Sequence, residues 1–177
     1  MPRDFVISCG DFSVECTPSG LPGHYDALKA RAALVDEAGL DERDLCCLLV
    51  RRGQEPWPSL VLALGCPAAV AGTSPGALLT DAGTLFVGYG ERALGYALRE
   101  PARLWAAQAP GGFLFWEQQG AVVLLGAAGA LSAWSQQGAP LWRVALAQPW
   151  SHRVQAGQVE LTDGAGRSRR FPLRDGP

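Results

Sequence analysis

The chain has 177 residues, 48% of them apolar and 18% charged, with a formal net charge of -2. This is enough chain for one domain with a sizeable core, and the composition excludes a disordered polypeptide. The charge balance, with no clustered basic face, argues against a nucleic-acid partner.

Met1-Pro2-Arg3-Asp4 carries no apolar signal core, and no stretch is long enough to cross a membrane. The longest apolar run, over 60–72, is short and is interrupted by Pro67. The five cysteines are an odd set without repeated spacing, so a disulfide framework is not expected and a reducing bacterial cytoplasm is.

Residues 4–17 alternate as a β-hairpin, with Phe5, Ile7, Phe12, Val14 and Cys16 on one side and Gly10-Asp11 at the turn. A Pro/Ser/Gly-rich loop over 17–23 follows. Tyr25, Leu28, Ala32 and Val35 then recur at helical spacing, with Asp26 in the first turn and Gly39 as a stop, which predicts one long helix. After the polar break at 41–44, the apolar runs 45–50 and 59–64 read as two buried strands that could form an antiparallel hairpin. The loop between them holds Pro56-Trp57-Pro58, and 67–76 reads as loop again.

From there the chain repeats. Three segments overlay without gaps at a spacing of 37 residues: Leu85-Phe86-Val87, Val122-Val123-Leu124 and Val159-Glu160-Leu161. In the same frame Ala93-Leu94 falls on Ala130-Leu131, Leu104-Trp105 on Leu141-Trp142, and Trp134 on Phe171. A fixed period of this size marks stacked structural units. Each unit holds two strands around a Gly-containing turn, and the first two units add a Leu-Trp strand. Trp105 and Trp142 are expected in the core, as are Trp134 and Phe171.

The run from Ala130 to Trp142, with its Ala-Leu strand, its glycine-bearing turn at Gly138 and its Leu-Trp pair, resembles the blade signature of the PQQ-like, or quinoprotein-like, β-propeller repeat. The resemblance covers about residues 78–173. It implies antiparallel, propeller-blade-like sheets. Closed propellers have four or more blades, and two and a half units are visible. The expected architecture is therefore a mainly β single domain over 1–177. Residues 1–76 would form a cap of strands and one long helix, and 77–177 the repeat region. The run 85–92, with Trp116 and Pro149-Trp150-Ser151, also resembles a small bacterial family, which implies no particular reaction.

Candidate chemistry is sparse. Gly88-x-Gly90-x-x-Ala93 has dinucleotide-loop spacing. A phosphate loop needs a helix there and an acid about twenty residues on, whereas the period predicts a strand. Cys46-Cys47 would point to opposite faces of a strand and so could not chelate together, and no metal or cofactor is expected. Of two histidines, His152 stands in a predicted loop beside Trp150 and Ser151 and is the better candidate for catalysis. Trp57, Trp116 and Trp150 break the repeat near Pro- or Gly-rich loops, where aromatic rings serve as interface anchors.

The leading expectation is a non-catalytic binding or accessory module, immunity-type in one form, that contacts another protein through Trp57, Trp116, Trp150 and His152. The alternatives are a small enzyme or ligand-binding protein with a pocket near Trp116, Trp150 and His152, and a domain that completes a ring by oligomerisation.

Overall fold

A computed structural model describes residues 4–67, 70 and 74–177. The N-terminal triplet and part of the 67–76 loop lie outside the described residues. No described helix is long and apolar enough to cross a membrane.

Among the described residues sixteen strands form four sheets that follow one another along the chain. In the first sheet, β1 (Phe5–Cys9) and β2 (Phe12–Thr17) form the expected hairpin, with Phe5 opposite Cys16 and Ile7 opposite Val14. The helix α1 covers only Tyr25–Lys29. β3 (Leu34–Ala38), β4 (Asp44–Arg52) and β5 (Leu60–Cys66) complete the sheet in the order β1-β2-β4-β5-β3. The β4–β5 hairpin is antiparallel as expected.

The long helix is not formed. Its second half is the strand β3, which pairs in parallel with β5. The reason is tertiary: β5 is buried along its whole length. Its second edge would otherwise hold unpaired peptide groups away from water, which costs more than helix propensity returns. Glu37 of β3 ties the two pieces together. The Tyr25 hydroxyl donates to it at 2.8 Å and Lys29 Nζ at 2.6 Å.

The second sheet runs β6 (Gly76–Leu79), β7 (Thr84–Tyr89), β8 (Arg92–Ala97) and β9 (Ala102–Gln108). The third runs β10 (Phe113–Gln119), β11 (Val122–Ala127), β12 (Ala130–Ser135) and β13 (Pro140–Ala145). The fourth has three strands, β14 (Ser151–Gln155), β15 (Gln158–Thr162) and β16 (Ser168–Pro172). All pairings in these three sheets are antiparallel, as the repeat implied.

The sheets stack face to face, one apolar layer per seam. Val14, Cys46, Leu62, Leu85 and Tyr96 fill the first seam. Phe86, Val123, Leu125 and Trp134 fill the second, and Leu124, Leu131, Val159 and Phe171 the third. The N-terminal segment is thus itself the first of four stacked sheets. The cap is smaller than expected: α1 covers the sheet's far face through Tyr25 and Leu28 on Cys47, Leu49 and Val61. Cys46 and Cys47 do face opposite ways, one into each layer.

The ungapped overlay at 37 is not the structural register. Leu85 pairs with Tyr96, Val123 with Trp134, and Val159 with Phe171, and in each pair the side chains face the preceding sheet. The equivalent of Leu85 is therefore Val123, not Val122. A slip of one residue turns a strand side chain to the other face. The Leu-Trp pair does keep its 37-residue spacing, because Leu104 and Leu141 each fall at a β-bulge in the outer strand. The bulge leaves both leucines exposed and turns Trp105 and Trp142 toward the next sheet. There Trp105 stacks on Trp134 at 4.9 Å, and Trp142 meets Phe171 edge-on at 5.3 Å. Such pairs contribute about 0.5–1.5 kcal/mol beyond their burial. In the first seam a polar contact is added to the apolar layer. The Tyr96 hydroxyl donates to Asp36 at 2.9 Å, and Arg103 reaches the same carboxylate at 3.0 Å.

Candidate functional site

Strand β10 distributes its side chains between two seams. Phe113 and Trp116 point back into the second seam and Phe115 forward into the third, because alternate strand positions face opposite sides and a bulge lies between Phe113 and Phe115. Trp116 sits among Phe86, Phe113, Trp105 and Trp134, with ring centroids 5.3–6.4 Å away. It belongs to the core between sheets and takes no part in a loop surface.

Trp150 and His152 lie in the third seam. His152 is in strand β14, not in a loop. Its ring stacks on Phe115 at 5.0 Å with a 6° tilt. Its Nε2 lies 2.7 Å from Glu117 Oε2, and the other oxygen of that carboxylate accepts from Gln119 at 2.7 Å. An ionised carboxylate only accepts, so Nε2 is the donor in this contact. Trp150 Nε1 donates to Ala128 O at 3.0 Å, and its ring lies 6.3 Å from Phe115.

Leu114, Phe115, Gln148, Pro149, Trp150 and His152, with Ser151, line a hollow of about 410 Å³ at this seam. Leu114, on the sheet-edge strand β10, is 49% exposed at its rim. The structure therefore brings Trp150 and His152 together and leaves Trp116 in a different seam. Among the described residues no serine, threonine or cysteine side chain is hydrogen-bonded to the imidazole. Ser151 neighbours His152 along β14 and so points to the opposite face. Sequence reading missed Leu114, Phe115 and Glu117. The alternation inside Phe113–Gln119 could have revealed them, had that stretch been read as a strand.

Trp57 stands apart. It is 40% exposed, but the Arg31 guanidinium lies 4.0 Å over its ring, so one face is covered. Gly88 and Gly90 belong to the β7–β8 hairpin, with no helix to hold a phosphate.

None of the five cysteines is in a disulfide bond. Burial pushes the Cys16 thiol up to about 12 and that of Cys47 to about 11. Cys9 donates to Asp81 at 2.9 Å, which also raises its pKa, so none of these three is poised as a thiolate. Among the described residues no group of three or more His, Cys, Asp or Glu side chains is placed to hold a metal ion.

No protein-family model matches the chain, and no curated protein matches it. Solved structures do. BamB from Moraxella catarrhalis, a PQQ-like β-propeller, superposes with a TM-score of 0.50 over 94% of this chain and 42% of its own, at 12% identity. The fold is of the β-propeller type. A crystal structure of HIRA(644-1017) matches with a TM-score of 0.49, over 96% of this chain and 53% of its own, at 12% identity. The chain thus spans about half of the length of these two chains.

Proposed function

We propose that this protein is a non-catalytic protein-binding module whose contact surface is the seam between the third and fourth sheets. The observation that carries this reading is the hollow at Leu114, with Phe115, Pro149 and Trp150 as apolar walls and His152 as a polar group fixed by Glu117. A concave apolar site with a few oriented polar groups favours binding. The pairing of His152 with a carboxylate and an aromatic face, rather than with a nucleophile, supports binding over catalysis. The bulged Leu-Trp strands, together with the likeness to BamB, support assigning the repeat to the PQQ-like type.

Ring completion between chains is less well supported. The outward face of the fourth sheet carries the rows Ser151-Thr162-Ser168, Arg153-Glu160-Arg170 and Gln155-Gln158-Pro172, which offer another blade little apolar surface. A reducing cytoplasm suits five cysteines outside any disulfide, four of them buried. The test is affinity capture from lysate of the protein's own cells, with the wild type, Leu114→Asp and Trp57→Ala. A partner should be lost with Leu114→Asp and kept with Trp57→Ala. Equal capture by the folded Leu114→Asp variant would overturn the reading.

A further inference from the structure

The hollow at Leu114 does not end at Pro149. A second hollow of about 400 Å³ shares Gln148 and Pro149 with it and continues along Asp163, Gly164 and Ala165. A third, of about 390 Å³, shares Ala147, Asp163 and Arg167 with the second and ends at Leu146, Leu161 and Arg169. The three hollows adjoin through these shared residues along the linker from β13 to β14, and together they are the groove considered below.

The two ends differ in chemistry. The Leu114 end is apolar and aromatic. At the far end Arg167 is held by Asp163 at 2.8 Å. Arg169 has no ion pair among the described residues; its guanidinium lies 6.0 Å over the Phe171 ring. Between the ends, the exposed backbone N–H groups of Ala147 and Gln148 have no hydrogen-bond partner among the described residues. The groove thus offers an apolar socket, peptide-group donors and then an uncompensated cation, in that order.

We infer that the groove takes an extended peptide segment of a partner protein, with a large apolar side chain seated at Leu114 and Trp150 and a carboxylate reaching Arg169. This rests on the binding reading above and adds the polarity of the ligand. Charge complementarity selects the acid, because an arginine already placed against an aromatic face gives up little freedom in binding a carboxylate. The unpaired peptide donors select an extended chain over a compact small molecule. An extended ligand advances at most about 3.3–3.6 Å per residue, and the test uses a spacer of about three residues between anchor and acid.

The experiment uses three probes: N-acetyl-tryptophanamide, N-acetyl-glutamate amide, and the joined peptide acetyl-Trp-Ser-Gly-Ser-Glu-amide. Binding is followed by the Trp150 indole and Arg169 side-chain resonances in nitrogen–proton correlation spectra. The joined peptide should shift both and bind at least about tenfold more tightly than N-acetyl-tryptophanamide, since joining converts the second contact into an intramolecular one. Replacing its Glu by Gln, or Arg169 by Glu in the protein, should remove that gain. If N-acetyl-tryptophanamide shifts Trp150 but the joined peptide gains nothing, the acidic-peptide inference fails and the binding site stands. If no probe shifts either resonance, both fail.

Discussion

Glu37 shows how one side chain can set a response to acid. The Lys29 ammonium, and after it the Tyr25 hydroxyl, hold its carboxyl below the usual glutamate range. A carboxyl whose folded pKa is depressed contributes stability that is fully present above its unfolded value and is lost as pH falls through the folded one. The chain should therefore weaken on the acid side of the ordinary glutamate range, with α1 loosening from β3. Glu37→Gln should flatten that limb of the stability–pH curve, read as urea midpoints across acidic pH. An unchanged slope would remove Glu37 from the account. Trp57 and Trp150 separate at the same scale. Trp57→Ala removes an exposed ring and should change stability by no more than about 0.5 kcal/mol. Trp150→Ala deletes a seam wall and a hydrogen bond to Ala128, and should cost about 2–3 kcal/mol in denaturant unfolding. Equal losses would mean that Trp150 does not hold the seam.

At the scale of elements, the β14–β15 hairpin is the strained one. Ala156 has φ 49 and is the one described residue other than glycine with positive φ; elsewhere such turns use glycine, as at Gly10, Gly90 and Gly120. A left-handed alanine costs about 1–2 kcal/mol. Replacing it by glycine returns part of this against the larger entropy of the unfolded chain. Ala156→Gly should raise stability by about 0.5–1 kcal/mol, visible as a higher melting temperature, and a lower one would contradict the strain.

The strands themselves were unevenly legible. β1, β2, β4 and β5 could be read because alternation or unbroken apolar runs bounded by turn residues define them. The first strands of the later sheets, β6, β10 and β14, were not read. β14, Ser-His-Arg-Val-Gln, buries little and carries almost no apolar signal. The helix failed for a related reason: Ala32 and Val35 fit helical spacing locally, but the bare edge of β5, seen only in three dimensions, takes Val35 into a strand. The repeat was visible, yet its frame was one residue out. Turn lengths differ between sheets, and only the pairing of Leu85 with Tyr96 and of Val123 with Trp134 fixes the frame. Of the site, the two residues nearest each other in sequence, Trp150 and His152, were found. Their partners on β10 were not, because contact across a seam leaves no spacing to read.

On the scale of the whole molecule, neither outer face of the stack is a bare apolar sheet. The first sheet's far face is under α1, and the fourth sheet's far face is polar. Capped solenoids stay soluble by this means. Light scattering on a sizing column should therefore give a monomer. A discrete dimer or larger ring would mean that the polar face is an interface, and the search for function would move to the centre of that assembly.

The aromatic seams also carry an implication for how such a chain can lengthen. The third sheet offers Trp134 to the sheet before it and Trp142 to the sheet after it, and Trp142 occupies the position that Trp105 holds one sheet earlier. A second copy of β10 to β13 spliced in after the first would meet, at its leading face, a tryptophan presented as its own Trp134 already expects. Its trailing face would present the same tryptophan to Phe171. The unit is thus compatible with itself, and gene duplication could change the number of blades in this protein without redesigning either terminus.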